Sequence, residues 1–170
     1  MPPLEEWSRV AAELLDGLGA QWVLAGALAA QQYRIDMRQT TDVDVLARSV
    51  VGLREACEAR GYTVKERGAS GDDDPYLYFV RGRAGGPDIK IDVIVAETPY
   101  QEEAIDRGLA RHVLTVEDVI IHKLLAWRAR DQDDIRSILA AGHEPDETYV
   151  AYWATEWGVE DRWHEAQTWR

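Results

Sequence analysis

The amino-acid sequence predicts an α+β fold, a mixed β-sheet flanked by helices with a helical C-terminal part. Three observations predict it. Short stretches rich in Val, Ile and Tyr alternate with helical stretches across residues 1–99. From Tyr100 onward the pattern is almost wholly helical. A chain of 170 residues with 46% hydrophobic content is large enough for one ordinary domain with a core. The expected division is residues 1–99 as the core unit and residues 100–170 as helices packed on it.

The elements follow in order. Leu4, Trp7, Val10, Ala11, Leu14, Leu15 and Leu18 recur at helical spacing, and Gly19 is placed to end that helix. "QWVLAG" predicts a short buried strand, and "GALAAQQYR" a helix starting at Gly26. "RQTTDVDVLA" predicts a loop leading into a strand, and "VVGLREACEARG" a helix closed by Gly61. "YTVKER", "YLYFVRG" and "DIKIDVIVAE" predict three more strands, with "GASGDDDP" and "RGRAGGP" as the connecting loop and turn. "TVEDVIIHKLLAWRAR" opens on Thr115 with Asp118 three residues on, a capping pattern. "DQDDIRSILAAG" predicts a second helix closed by Gly142, and a Trp-rich segment ends the chain.

Composition bounds the function. A net charge of −12 disfavours broad binding to a nucleic-acid duplex, although a local basic cleft remains open. No apolar run approaches the roughly 20 residues of a membrane helix. The acidic "MPPLEEW" start has no apolar signal core and Cys57 is a single cysteine, so a cytoplasmic protein with no membrane partner is expected.

The chemistry concentrates in two strands. Asp42 and Asp44 lie at i and i+2, so they share one face while Val43 and Val45 take the other. Asp92 interrupts "DIKIDVIVAE" on the face of Lys90 and Ile94. Unpaired carboxylates at such positions are costly to bury, and a divalent cation with hard oxygen ligands resolves the conflict. Three acids are the number that can hold two Mg²⁺ ions for an in-line displacement. The plainer alternatives are two solvated aspartates at a strand start, and an Asp92 paired with Lys90 or an arginine.

These residues carry a resemblance. "LAGALAA…RQTTDVDVLA", followed by "TVEDVIIHKLLAWRARDQDDIRSIL", resembles the polymerase-β-like minimal nucleotidyltransferases, and among them the AbiEii/MenT-like toxin enzymes. The resemblance implies the nucleotidyltransferase fold, Mg²⁺ dependence through a two-metal site, and an NTP as co-substrate, for instance ATP. It implies transfer of a nucleoside monophosphate to an acceptor hydroxyl on an RNA 3′ end such as that of tRNA, a protein or a small molecule. By the same resemblance, Asp42, Asp44 and Asp92 hold the metals, and Asp92 activates the acceptor. Gly26 lets the backbone approach the triphosphate, Arg38 and Thr40 belong to the R-x-T-x-D-x-D signature, and Lys123 reaches a phosphate. Asp131 or Asp134 orients that region. An antitoxin partner is implied for toxin-like relatives. The chain departs from the family at the turn, which is Ala25-Gly26-Ala27 where Gly-Gly or Gly-Ser is usual.

Other readings stay open on the residues alone. Lys123 can snorkel to solvent or point into an anion-holding cleft. Asp131, Asp133 and Asp134 can simply favour a helix N-terminus, or pair with Arg128 and Arg130. Arg81 and Arg83 can meet acceptor phosphates or occupy a plain turn. Trp153, Trp157, Trp163 and Trp169 can stack bases or pack on the core. A non-catalytic nucleotide- or partner-binding module on the same scaffold is the alternative function.

Overall fold

The computed structural model describes residues 3–68, 75–82 and 88–170. The acidic run Asp72–Asp74 and Arg83 lie outside the described residues. The strands are β1 (Trp22–Leu24), β2 (Val43–Ala47), β3 (Thr63–Gly68), β4 (Pro75–Arg81) and β5 (Lys90–Val95). The helices are α1 (Pro3–Gly17), α2 (Gly26–Gln31), α3 (Leu53–Glu58), α4 (Pro99–Gly108), α5 (Val116–Ala126), α6 (Ala129–Ala140), α7 (Glu147–Glu156) and α8 (Glu160–Gln167).

The strands form one mixed sheet in the order β1-β2-β5-β4-β3. β2 and β5 run parallel at its centre, in a register that sets Asp44 directly opposite Asp92; the other pairs are antiparallel. A parallel pair needs a long crossover, and here α3, β3 and β4 supply it. The β-branched runs of β2 and β5 suit a position buried on both faces.

Side-chain alternation then builds two cores. Val43, Val45, Ile91 and Val93 face α1 and α3, where Leu14, Leu15, Leu53 and Cys57 complete one apolar cluster. Leu46 faces the other way, into a cluster with Val23, Ala29, Tyr100, Ile120, Ile121, Ile138 and Trp163. The face that carries Asp44 and Asp92 is therefore the one covered by the C-terminal helices, except where the sheet runs out beyond their edge.

Caps set the helix starts. Thr115 accepts a hydrogen bond from the Asp118 backbone N–H and caps α5 as the spacing predicts. Thr98 and Gln101 form a reciprocal capping box on α4. The second predicted C-terminal helix begins at Ala129, earlier than its acidic run, because the Asp131 carboxylate folds back to accept from the Arg128 backbone N–H. The Trp-rich end is two helices, α7 and α8. Trp163 is fully buried and Trp169 stacks on Trp127 with ring centroids 5.6 Å apart, whereas Trp157 remains 40% exposed. Among the described residues no helix is long and apolar enough to cross a membrane.

Candidate active site

A cleft of about 540 Å³ opens where β2 begins, lined by Gly26 and Ala27 of α2, Arg38 to Asp42 of the incoming loop, Asp44, Asp92, Lys123, Arg128 and Arg130. The parallel register of β2 and β5 is what brings Asp44 and Asp92 to one wall, and the turn before β2 adds Asp42.

Asp44 is the electrostatic centre. Burial, then the Asp42 and Asp92 carboxylates, push its acid up from 3.8 to about 6, against the opposing pull of Lys123 and Arg128. Gly26 makes room for it. Gly26 has φ +57°, and a Cβ there would fall 1.8 Å from the Asp44 carboxylate oxygen Oδ2. Thr40 Oγ1 donates to Asp42 Oδ1 at 2.9 Å. Arg81 Nη1 donates to Asp92 Oδ1 at 2.7 Å. The three acids share the cleft wall, although among the described residues no three His, Cys, Asp or Glu side chains are already arranged as a ligand set.

Beneath that wall lies a buried ionic floor. Lys123, 7% exposed, places Nζ 3.2 Å from Asp131 Oδ1 and 2.8 Å from Asp134 Oδ2. Asp134 also receives Arg34, and Arg38 at 2.6 Å. Arg128 binds Asp131 through Nε at 2.6 Å. Burial works against both carboxylates, yet hydrogen bonds from Arg128 and Lys123 hold Asp131, and from Lys123 and Arg38 hold Asp134, below the usual carboxylate range. Asp131 and Asp134 are thus charged at neutral pH and committed to these cations.

The structure accordingly places Gly26, Arg38, Thr40, Asp42, Asp44, Asp92 and Lys123 on the cleft, with Asp131 and Asp134 one layer below. Lys123 does not snorkel. Asp133 stays exposed and shares Arg34 with Asp134. His122 packs against Tyr100 at 5.7 Å, and burial lowers its pKa to about 4, so it is a neutral packing residue. One residue escaped the sequence reading. Arg34, 3% exposed as a side chain, sits in a polar turn that gives no hint of burial; only the approach of α6 covers it. Arg81, read from the sequence as a phosphate contact or a plain turn residue, ends β4 and is the arginine that pairs with Asp92, an arginine partner being one of the alternatives the sequence left open.

No family model matches the sequence, and no curated protein does. Solved structures do match. The protein JHP933 from Helicobacter pylori superposes with a TM-score of 0.51 at 20% identity, over 78% of this chain and 62% of that one. A second H. pylori structure, described as a "putative nucleotidyltransferase", gives 0.50 at 17% identity, over 80% of this chain and 68% of that one. This chain therefore spans under two-thirds of the length of JHP933. The likeness establishes a shared fold with these structures, which in this chain is a five-stranded mixed sheet flanked by helices.

Proposed function

We propose that this protein is a Mg²⁺-dependent nucleotidyltransferase that moves a nucleoside monophosphate from an NTP to an acceptor hydroxyl. The observation that carries the reading is Asp44, whose acid is raised to about 6 beside two further carboxylates on one cleft wall. A wall with this surplus of negative charge and hard oxygen donors fits a divalent cation. Gly26 supports the fit, since its missing Cβ leaves the space that the Asp44 carboxylate occupies. Asp42, Asp44 and Asp92 would hold the metal. When bound, a pair of Mg²⁺ ions supplies charge neutralisation to the attacking and leaving oxygens of the displacement.

The chain's own residues then have distinct tasks. Asp92 accepts the proton of the acceptor hydroxyl as its oxygen bonds to the α-phosphorus, while the bridge to the β-phosphate breaks and pyrophosphate leaves. Lys123 offers a fixed positive charge from the cleft floor, because Asp131 and Asp134 hold it in place. Arg128 and Arg130 stand at the cleft wall, where an anionic triphosphate would enter. The net charge of −12 favours a small hydroxylated acceptor or a protein over a long RNA, although an RNA 3′ end needs only this local set of arginines.

The test is incubation with each α-labelled NTP and Mg²⁺, in the presence of total cellular RNA, protein or metabolite fractions. Label transferred to one fraction by the wild type, and lost in the Asp42→Asn/Asp44→Asn double variant, is the expected result. Mg²⁺-independent NTP binding with no transfer to any fraction would replace this reading with the non-catalytic module.

A further inference from the structure

Asp92 is a third acid on the cleft wall, yet its Oδ1 is already taken. Arg81 reaches it at 2.7 Å from the neighbouring strand. The register explains how. β4 pairs antiparallel with β5 so that Phe79 lies opposite Asp92 and Arg81 opposite Lys90. Arg81 and Phe79 share a face, and the Arg81 side chain turns back along it, with its guanidinium 5.4 Å from the Phe79 ring centroid. The same Nη1 also approaches the carbonyl oxygens of Val80 at 2.9 Å and Ile91 at 3.2 Å. Lys90, the sequence neighbour that could have filled this role, lies 3.7 Å from Asp88 instead.

We infer that Arg81 is a positioning residue that stands in for the cation at Asp92 and must release it before the three acids can close on a metal ion. The inference rests on the proposed two-metal reading and deepens it. The register sets Asp44 directly opposite Asp92, so release of Asp92 Oδ1 by Arg81 returns a carboxylate oxygen to the wall that Asp44 shares. The Arg81–Asp92 pair is only partly buried, with side-chain exposures of 36% and 20%. A pair so close to solvent is weak and exchanges readily, so a divalent ion can compete with it. Once displaced, Arg81 loses its carboxylate but keeps Phe79 and two carbonyl oxygens at hand, so the strand needs no rearrangement. The chain thereby holds Asp92 neutralised when no metal is bound, and gives up some metal affinity in return.

Mn²⁺ binding to the nucleotide-free protein, followed by electron paramagnetic resonance of the free ion, tests this without any turnover. Arg81→Ala should bind Mn²⁺ about two- to fivefold more tightly than wild type, the scale of one partly exposed ion pair, and Arg81→Lys should fall between them. A gain in affinity is a result that simple loss of structure would not produce, and the melting temperature of each variant is recorded alongside. Asp44→Asn in the Arg81→Ala background should remove the added binding. Unchanged or weaker Mn²⁺ affinity in Arg81→Ala, with wild type binding normally, would overturn the inference while leaving the metal reading in place. Absence of Mn²⁺ binding in wild type and Arg81→Ala alike would overturn both.

Discussion

Asp44→Asn should stabilise the metal-free protein at neutral pH. A carboxyl whose acid is raised from 3.8 to about 6 in the folded state binds its proton more tightly there than in the unfolded chain. Between those two values the folded state holds the extra proton, so stability falls as pH rises through this window, and above it the full cost of the charge is present. At 1.36 kcal/mol for each tenfold step in protonation, the shift corresponds to about 3 kcal/mol. The causes are burial and the Asp42 and Asp92 carboxylates, and an asparagine of the same shape removes both the charge and the repulsion. Urea unfolding in EDTA at a series of pH values is the assay. The variant should exceed wild type by roughly 2–3 kcal/mol at pH 8 and converge with it near pH 4. Mg²⁺ should then raise the stability of wild type far more than that of Asp44→Asn, because binding to the folded state alone adds stability. A variant no more stable than wild type at pH 8 would refute the claim that Asp44 is held charged at a cost.

Three further outcomes follow from the same geometry. Lys123→Met should cost about 3 kcal/mol in denaturant unfolding, the low end for breaking a buried pair, because Asp131 keeps Arg128 and Asp134 keeps Arg34 and Arg38; a loss under 1 kcal/mol would mean the floor is not held as described. Gly26→Ala should cost about 1–2 kcal/mol for the left-handed backbone alone, and should also weaken Mn²⁺ binding, since its Cβ would displace the Asp44 carboxylate. Cys57 is buried, and burial pushes its thiol up to about 11. On that basis only about one thiol in a thousand is ionised at pH 8, so alkylation of the native protein should be far slower than after unfolding.

The sequence made the strands and the acids legible for one reason: alternation. Val43, Asp44 and Val45, and likewise Ile91, Asp92 and Val93, place the polar side chain on one face and the apolar ones on the other, and that much follows from a period of two. What alternation cannot state is which strands become neighbours. Asp44 meets Asp92 only because β5, more than forty residues later, returns parallel to β2 past two intervening strands. Lys123 shows the same limit in a helix. Its apolar neighbours reveal that the helix is buried, but not that Asp131 and Asp134 come back across the α5–α6 turn to neutralise it. Arg34 was beyond reach altogether: an arginine is ordinarily read as surface, and only a carboxylate brought from a hundred residues away makes its burial tolerable. These cases share a physical basis. Local periodicity encodes which face a side chain takes, whereas the charge that must sit opposite it is set by long-range pairing. The electrostatics of the cleft therefore depend on the part of the fold that periodicity does not carry, and the pairs that tune it, Arg81 with Asp92 and Lys123 with Asp134, are where substitutions should change metal and nucleotide handling most while altering the fold least.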